Sequence, residues 1–417
     1  MSPANRHNPL IGVGATLVGA AAGVAAGVVA DRATKHRAAM FALDTRDTYD
    51  VVPDEERVVL TDDGVPLHVV IDEPSPEAAA AVVRGLTPPH GRPVEPPTVV
   101  LTHGYCLSLR CWVFQRRALK VAGYRVVSWD HRGHGQSGRG EPDAYVVGRL
   151  AKDLHTVIDK VAPSGDLVLV GHSMGGMTIM ALGKLDPQLI HDRVSGVAFI
   201  ATSPGGMALA NGGRRATIGA QLLGRLGPVV LMPLSERPEL WSWIRRRNAT
   251  LEEFLVDQNS FASPVAASLV RYTANILLST PLDVINDYLG AFEGFDIRPA
   301  LQHFRGTHVL VFNGMDDILT PPEHSDLIIE AIPGAEHVLV NHAGHVIMLE
   351  HPDLLNAQLV QLIERGVRSR VEHLEVSQQP RVQRTITNVA KERLARARTA
   401  HAGRRTRAEQ SKAARGA

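Results

Sequence analysis

The sequence predicts an α/β chain in which a mostly parallel central sheet is flanked by helices, with a helical cap inserted between two of its strands. Three observations carry this. Short β-branched apolar runs alternate with helix-period segments through most of the chain, the order that builds a parallel sheet covered by helices. About a hundred residues between Ser203 and Phe304 carry mostly helical patterning without a clear strand, too long a stretch for a structureless loop. A glycine-flanked serine, in Gly171 to Gly176, stands directly between an apolar run and a helical pattern.

The chain's 417 residues hold a full core, and 44% hydrophobic with 21% charged residues exclude a mainly disordered, collagen-like or multi-span membrane protein. A net charge of +1 leaves no overall field directed at nucleic acid or an acidic substrate. In order, Val58 to Ile71 reads as a hairpin turning at Asp63-Gly64, and Pro74 to Pro97 as a Pro-rich loop. Strands follow at Thr98 to Thr102, Arg125 to Trp129, Leu167 to Val170, Gly196 to Ala201, His308 to Phe312 and His337 to Val340. Helices fit Cys111 to Ala122, Val146 to Val161, Met177 to Leu185, His324 to Ala331 and Pro352 to Arg365. The domain expectation is core at 50–202, cap at 203–304, core again at 305–367, and a largely disordered basic tail at 368–417 in which Asn388 to Thr399 has the pattern of a short helix. Cys106 and Cys111 are read as free, packing thiols, since two cysteines make no disulfide framework.

The two ends differ from the middle. Pro9 to Ala30 carries no charge, and its 22 residues would span about 33 Å as a helix, enough for a hydrocarbon core of about 30 Å. Residues 1–37 are therefore expected to be an uncleaved membrane anchor, with a signal peptide or peripheral helix as competitors. Arg32, Lys35 and Arg37 bias the following domain toward the cytoplasm, a secreted or extracytoplasmic location being the alternative. Gly19, Gly23 and Gly27 share one helical face that would let two such helices pair as a homodimer. From Arg381 to Ala417 the net charge is +9, suited to solubility or to anionic lipid. No aromatic residues interleave these charges, which argues against nucleic acid.

Chemistry concentrates at strand ends. Gly171-His172-Ser173-Met174-Gly175-Gly176 follows the apolar run Leu167 to Val170, so Ser173 would sit on a turn too tight for flanking side chains. The backbone N–H of Met174, at the start of a helix, would face a developing oxyanion. A serine hydroxyl needs a base and an acid to orient that base. Asp317, after the strand His308 to Phe312, is the acid, with Asp316 its adjacent rival, and His345, after His337 to Val340, is the base. His342 and His351 read as surface or packing histidines. The loop His103-Gly104-Tyr105 would supply a second oxyanion N–H from Tyr105, with His103 bracing it.

With these motifs the chain resembles the α/β-hydrolase superfamily over about Val58 to Val367. The matching pieces are His103 to Tyr105, Asp130-His131-Arg132-Gly133-His134-Gly135-Gln136-Ser137, Gly171 to Gly176, Gly314 to Pro321 and Gly344-His345. The resemblance implies Ser173 as nucleophile, Asp317 as acid, His345 as base and the Tyr105 and Met174 N–H groups as oxyanion hole, with no metal or organic cofactor. The Asp130 to Ser137 turn would be structural. Serine at 173 sets the chain apart from the epoxide-hydrolase and haloalkane-dehalogenase branches, which carry aspartate there. The finer likeness is to monoacylglycerol-lipase-like and lysophospholipase-like esterases, with Ile218 to Leu234 and Ala266 to Leu278 offering an apolar acyl site or simply packing the cap. The expected activity is hydrolysis of carboxylic esters with apolar acyl chains, on small-molecule or lipid substrates at a membrane. C–C bond hydrolysis, perhydrolysis, acyl transfer and non-catalytic lipid binding are the alternatives.

Overall fold

Among the described residues nine strands hydrogen-bond into one sheet: β1 (Glu55–Leu60), β2 (Pro66–Asp72), β3 (Thr98–Thr102), β4 (Val126–Trp129), β5 (Leu167–His172), β6 (Val194–Ile200), β7 (His308–Gly314), β8 (Glu336–Val340) and β9 (Arg384–Ile386). This computed structural model describes residues 35–36, 38–44, 47–87, 94–205, 256–257, 259–292 and 294–399. The strand order is β1-β2-β4-β3-β5-β6-β7-β8-β9. β2 pairs antiparallel with both neighbours, and every pair from β4 to β9 is parallel. β5 and β6 are buried along their whole length, which is why they read as continuous apolar runs rather than alternating ones.

The helices are α1 (Pro76–Leu86), α2 (Val113–Val121), α3 (Val147–Val161), α4 (Met174–Leu185), α5 (Pro187–Arg193), α6 (Ala267–Leu277), α7 (Leu282–Phe292), α8 (Pro322–Ala331), α9 (Ile347–Glu350) and α10 (Pro352–Val371). On α3, Leu150, Ala151, Leu154, Val157, Ile158 and Val161 recur three or four apart and are all buried, the stripe that docks a helix on a sheet. All but Leu150 join Val100, Leu169, Val197 and Phe199 in the main core cluster, and Leu150 packs with Tyr145, Met174, Val284 and Tyr288 in a smaller one. Each such side chain contributes about 1.5–3 kcal/mol on burial.

Three segments depart from the sequence expectation. The Pro-rich stretch expected as loop contains α1. Pro76 sits in the first turn, where no N–H is needed, and Ser75 Oγ accepts the Ala78 N–H at 3.2 Å, but none of its residues is buried, so it left no apolar stripe to read. The cap boundary also shifts. The 3₁₀ turn Arg298–Phe304 buries Ala300, Leu301 and Phe304 in the main core, with the Phe304 ring 5.5 Å from Phe199. The neck of the insertion closes earlier, where Gly205 bridges Asp296 and Ile297 N–H donates to the Pro204 carbonyl at 2.8 Å. Finally, the tail expected to be disordered from residue 368 is ordered in its described part. α10 runs to Val371 and β9 completes the edge of β8, while residues 389–399 are helical where the sequence allows a short helix. Glu336 draws in Arg365, Arg381 and Arg384 at 3.0, 2.9 and 3.1 Å, giving those basic residues a common anchor. Residues 400–417 lie outside the described residues, as does the expected anchor stretch Pro9 to Ala30. Among the described residues no helix is long and apolar enough to cross a membrane.

The chain divides into two compact units, Arg46–Ser263 with Ser268–Glu392, and Met1–Thr45 with Pro264–Ala267 and Arg393–Ala417. In the second, Ala39 is buried within a helical stretch and Arg393 donates to the Pro264 carbonyl.

Candidate active site

Register brings the site together. Thr102 pairs with Gly171, Gly171 with Phe199, Ile200 with Phe312, and Gly314 with Val340, so the carboxyl ends of β3, β5, β6, β7 and β8 finish along one edge. The loops carrying His103 to Tyr105, Ser173, Asp317 and His345 all emerge there. This is where open parallel sheets expose their loops for chemistry.

Ser173 links β5 to α4 with φ 52° and ψ −119°, a conformation that a non-glycine residue adopts only when its surroundings enforce it. The enforcement is visible. Its N–H donates to the Ile200 carbonyl at 3.0 Å, and its carbonyl accepts from Thr202 Oγ1 at 2.6 Å and from the Gly176 N–H at 2.9 Å. A Cβ on Gly175 would collide with the Thr102 carbonyl, and one on Gly104 would lie 3.0 Å from Ser173 Cβ. Glycine is required at both positions because β3 and its loop press directly on the turn. The Ser173 side chain remains half-buried.

Asp317 and His345 meet at 2.9 Å between Oδ2 and Nδ1, both in buried residues. Asp317 also accepts from Leu319 N–H at 2.9 Å, Thr320 N–H at 3.0 Å and Thr320 Oγ1 at 2.8 Å. Burial alone would raise its pKa, but the His345 ring and the Thr320 donors outweigh it and hold the carboxyl below its ordinary value. Asp316 does not compete: it lies 3.6 Å from His342, and both side chains are more than half exposed. His351 is buried, with Nε2 3.5 Å from the His342 carbonyl. Among the described residues no hydrogen bond joins Ser173 to His345. The two loops are joined through His172 instead, whose Nε2 donates to the His345 carbonyl at 2.9 Å.

Neither the Tyr105 nor the Met174 N–H donates to another described residue, whereas the flanking Cys106 and Leu107 N–H groups are engaged. The Tyr105 hydroxyl donates to the Ile285 carbonyl on α7, and its ring stands 5.3 Å from Phe292. His103 braces this loop as expected, accepting from the His131 N–H at 3.0 Å while its Nδ1 reaches the Gly104 carbonyl at 2.7 Å. His131 Nε2 reaches the His103 carbonyl, and His134 accepts from the Cys106 N–H. Burial depresses all of these rings, His131 to about 3 and His134 to about 4. They are neutral struts committed to backbone partners. Asp130 adds to the brace, accepting from His68, Leu109 N–H and Gln136 N–H. Both cysteines are free thiols.

Sequence reasoning missed Thr320, His172 and Glu350, because each acts through a backbone or buried contact that leaves no motif of its own. On the proposed acyl site, Leu269, Val270 and Ile276 of α6 are buried, and Tyr272 packs 5.0 Å from Tyr49. Ile218 to Leu234 lies outside the described residues. A cavity of about 180 Å³ walled by Tyr49, His68, Arg110, Arg116 and Tyr272 is lined by none of Ser173, Asp317 or His345.

A sheet of this order, with a strained serine turn at one strand end and a carboxylate–imidazole pair beside it, defines an α/β hydrolase. Residues 97–352 match the family profile described as alpha/beta hydrolase fold, and the chain belongs to that family. Its relatives include the "Putative carbamate hydrolase RutD" of Agrobacterium fabrum, 27% identical over 280 residues that cover 66% of this chain and 96% of that protein. Among solved structures it is similar to a bromoperoxidase from Bacillus anthracis (22% identity, TM-score 0.55) and an esterase from Exiguobacterium antarcticum (19%, 0.55). Each covers 74% of this chain and 100% of its own, a likeness of fold.

Proposed function

We propose that the protein is a membrane-associated serine hydrolase that cleaves carboxylic esters with apolar acyl chains. The observation that carries this reading is the Asp317–His345 hydrogen bond set at the same sheet edge as the strained Ser173 turn. In the reaction, Ser173 Oγ attacks the ester carbonyl while His345 Nε2 takes its proton, and Asp317 keeps the Nδ1 proton in place. The Tyr105 and Met174 N–H groups stabilise the oxyanion, a contribution worth about 3–4 kcal/mol per donor in related chemistry. His345 then protonates the leaving alcohol, and water activated by the same ring hydrolyses the acyl-enzyme. The contact between nucleophile and base tightens when substrate fills the site. The uncharged stretch Pro9 to Ala30 and the basic C-terminal segment support the membrane assignment, and the apolar composition of the insertion supports an acyl substrate.

A second reading has its own support in the name of the relatives: a carbamate carbonyl is open to attack by the same groups. The test common to both is covalent. An alkyl fluorophosphonate should label the protein once, on Ser173, and Ser173→Ala should abolish labelling with an unchanged melting temperature. Labelling of the Ala variant, or none of the wild type, would overturn the proposal.

A further inference from the structure

A fully buried carboxylate, Glu350 of α9, stands five residues beyond the proposed base. Among the described residues it forms no hydrogen bond with Ser173 or the His345 ring, and the buried His351 Nε2 lies 3.9 Å from its Oε1. Its Oε2 accepts the Gly344 N–H at 2.7 Å, and its Oε1 accepts the Ser263 N–H at 2.6 Å, Ser263 Oγ at 2.6 Å and the Ala262 N–H at 3.1 Å. One oxygen therefore holds the loop immediately before His345, and the other holds segment 262–263 of the inserted region. The same two segments meet again where the Val346 N–H donates to the Ser260 carbonyl at 3.2 Å. Gly344 lies so close to this segment that a Cβ there would approach the Ser260 carbonyl to 2.6 Å.

We infer that Glu350 is a positioning residue that fixes the His345 loop and ties its placement to the inserted segment 260–263. The inference rests on the proposed role of His345. Every contact named above is a donor to the carboxylate, so the arrangement suits an ionised group and suits an amide poorly. A carboxylate accepting from N–H groups forms bonds roughly twice as strong as neutral ones, and a buried one left without donors is costly. With His172 holding the His345 carbonyl and Asp317 holding Nδ1, the Glu350 contact completes control of the residue from backbone to ring. The position of the base thus depends on residues 260–263 staying in place.

Glu350→Gln is the test, because it keeps the shape and turns one acceptor into a donor facing N–H groups. Expected is a fall in kcat on a short-chain ester of about tenfold or more with KM within about twofold, the pattern of a misplaced base. Amide exchange at Gly344, Val346 and Ser263 should rise, while β5 and β6 stay protected. Leu362→Ala, a buried change further along α10 where the side chain lies against Gly196 of β6, supplies a control of ordinary lost stability and should leave both readouts in place. Should Glu350→Gln fail to fold, Ser263→Ala removes one donor and should lower kcat about threefold with the same exchange signature. If Glu350→Gln matches Leu362→Ala in kcat, KM and amide exchange, the inference is overturned. If the wild type cleaves no ester, the proposed function fails separately, and unchanged exchange at Gly344 and Ser263 still decides against the clamp.

Discussion

Asp317 is buried and holds its charge because donors surround it, and Thr320 supplies two of them. The Thr320 hydroxyl lies 2.8 Å from Asp317 Oδ2 and 3.3 Å from His345 Nδ1, so it bears on both members of the pair. Thr320→Val keeps the volume and the backbone N–H contact while removing the hydroxyl. Steady-state kinetics should show kcat reduced about tenfold, the effect of about 1.5 kcal/mol from one hydrogen bond to a charged group, with KM little changed. Unchanged kcat would mean that the His345 contact alone orients the carboxylate.

At the level of elements, the parallel strands were legible because their burial on both faces makes them apolar throughout. Thr98–Thr102 emerges with the expected limits, and Leu167–His172 extends the expected run by two residues into the motif itself. The placement of Ser173, Asp317 and His345 just past strand ends was legible for a related reason: those ends could be found first. What stayed hidden has physical causes. α1 buries nothing, so no periodicity betrays it. β9 is three residues long within a basic segment, and it forms because β8 offers a free edge and Glu336 gathers the arginines, both non-local facts. Phe304 looks like cap in the sequence and belongs to the core because the α4 residue Gly183 leaves room for its ring. Glu350 carries no motif, since most of its partners belong to segment 262–263, far away in the chain, and the nearer one is a backbone N–H.

For the molecule as a whole, the buried histidines impose a pH dependence on stability. Burial, reinforced by the neighbouring ring where one is close, pulls His131 and His172 down to about 3 and His134 to about 4. In the unfolded chain these rings protonate near 6.5, so below that pH the unfolded state binds more protons than the folded one. The stabilisation is whole above about pH 6.5 and is lost as pH falls toward the folded values, by about 1.4 kcal/mol per ring and per pH unit. Thermal melts should therefore drop by about 10 °C between pH 7 and pH 5. A flat profile across that range would show that these rings are protonated in the folded protein.

The most direct test of the central claim is the rate of hydrolysis of an ester series of increasing acyl length, in detergent, for the wild type beside Ser173→Ala. The account predicts turnover that depends on Ser173 and is fastest at medium or long chains. Absence of Ser173-dependent turnover on every ester in the series would contradict it.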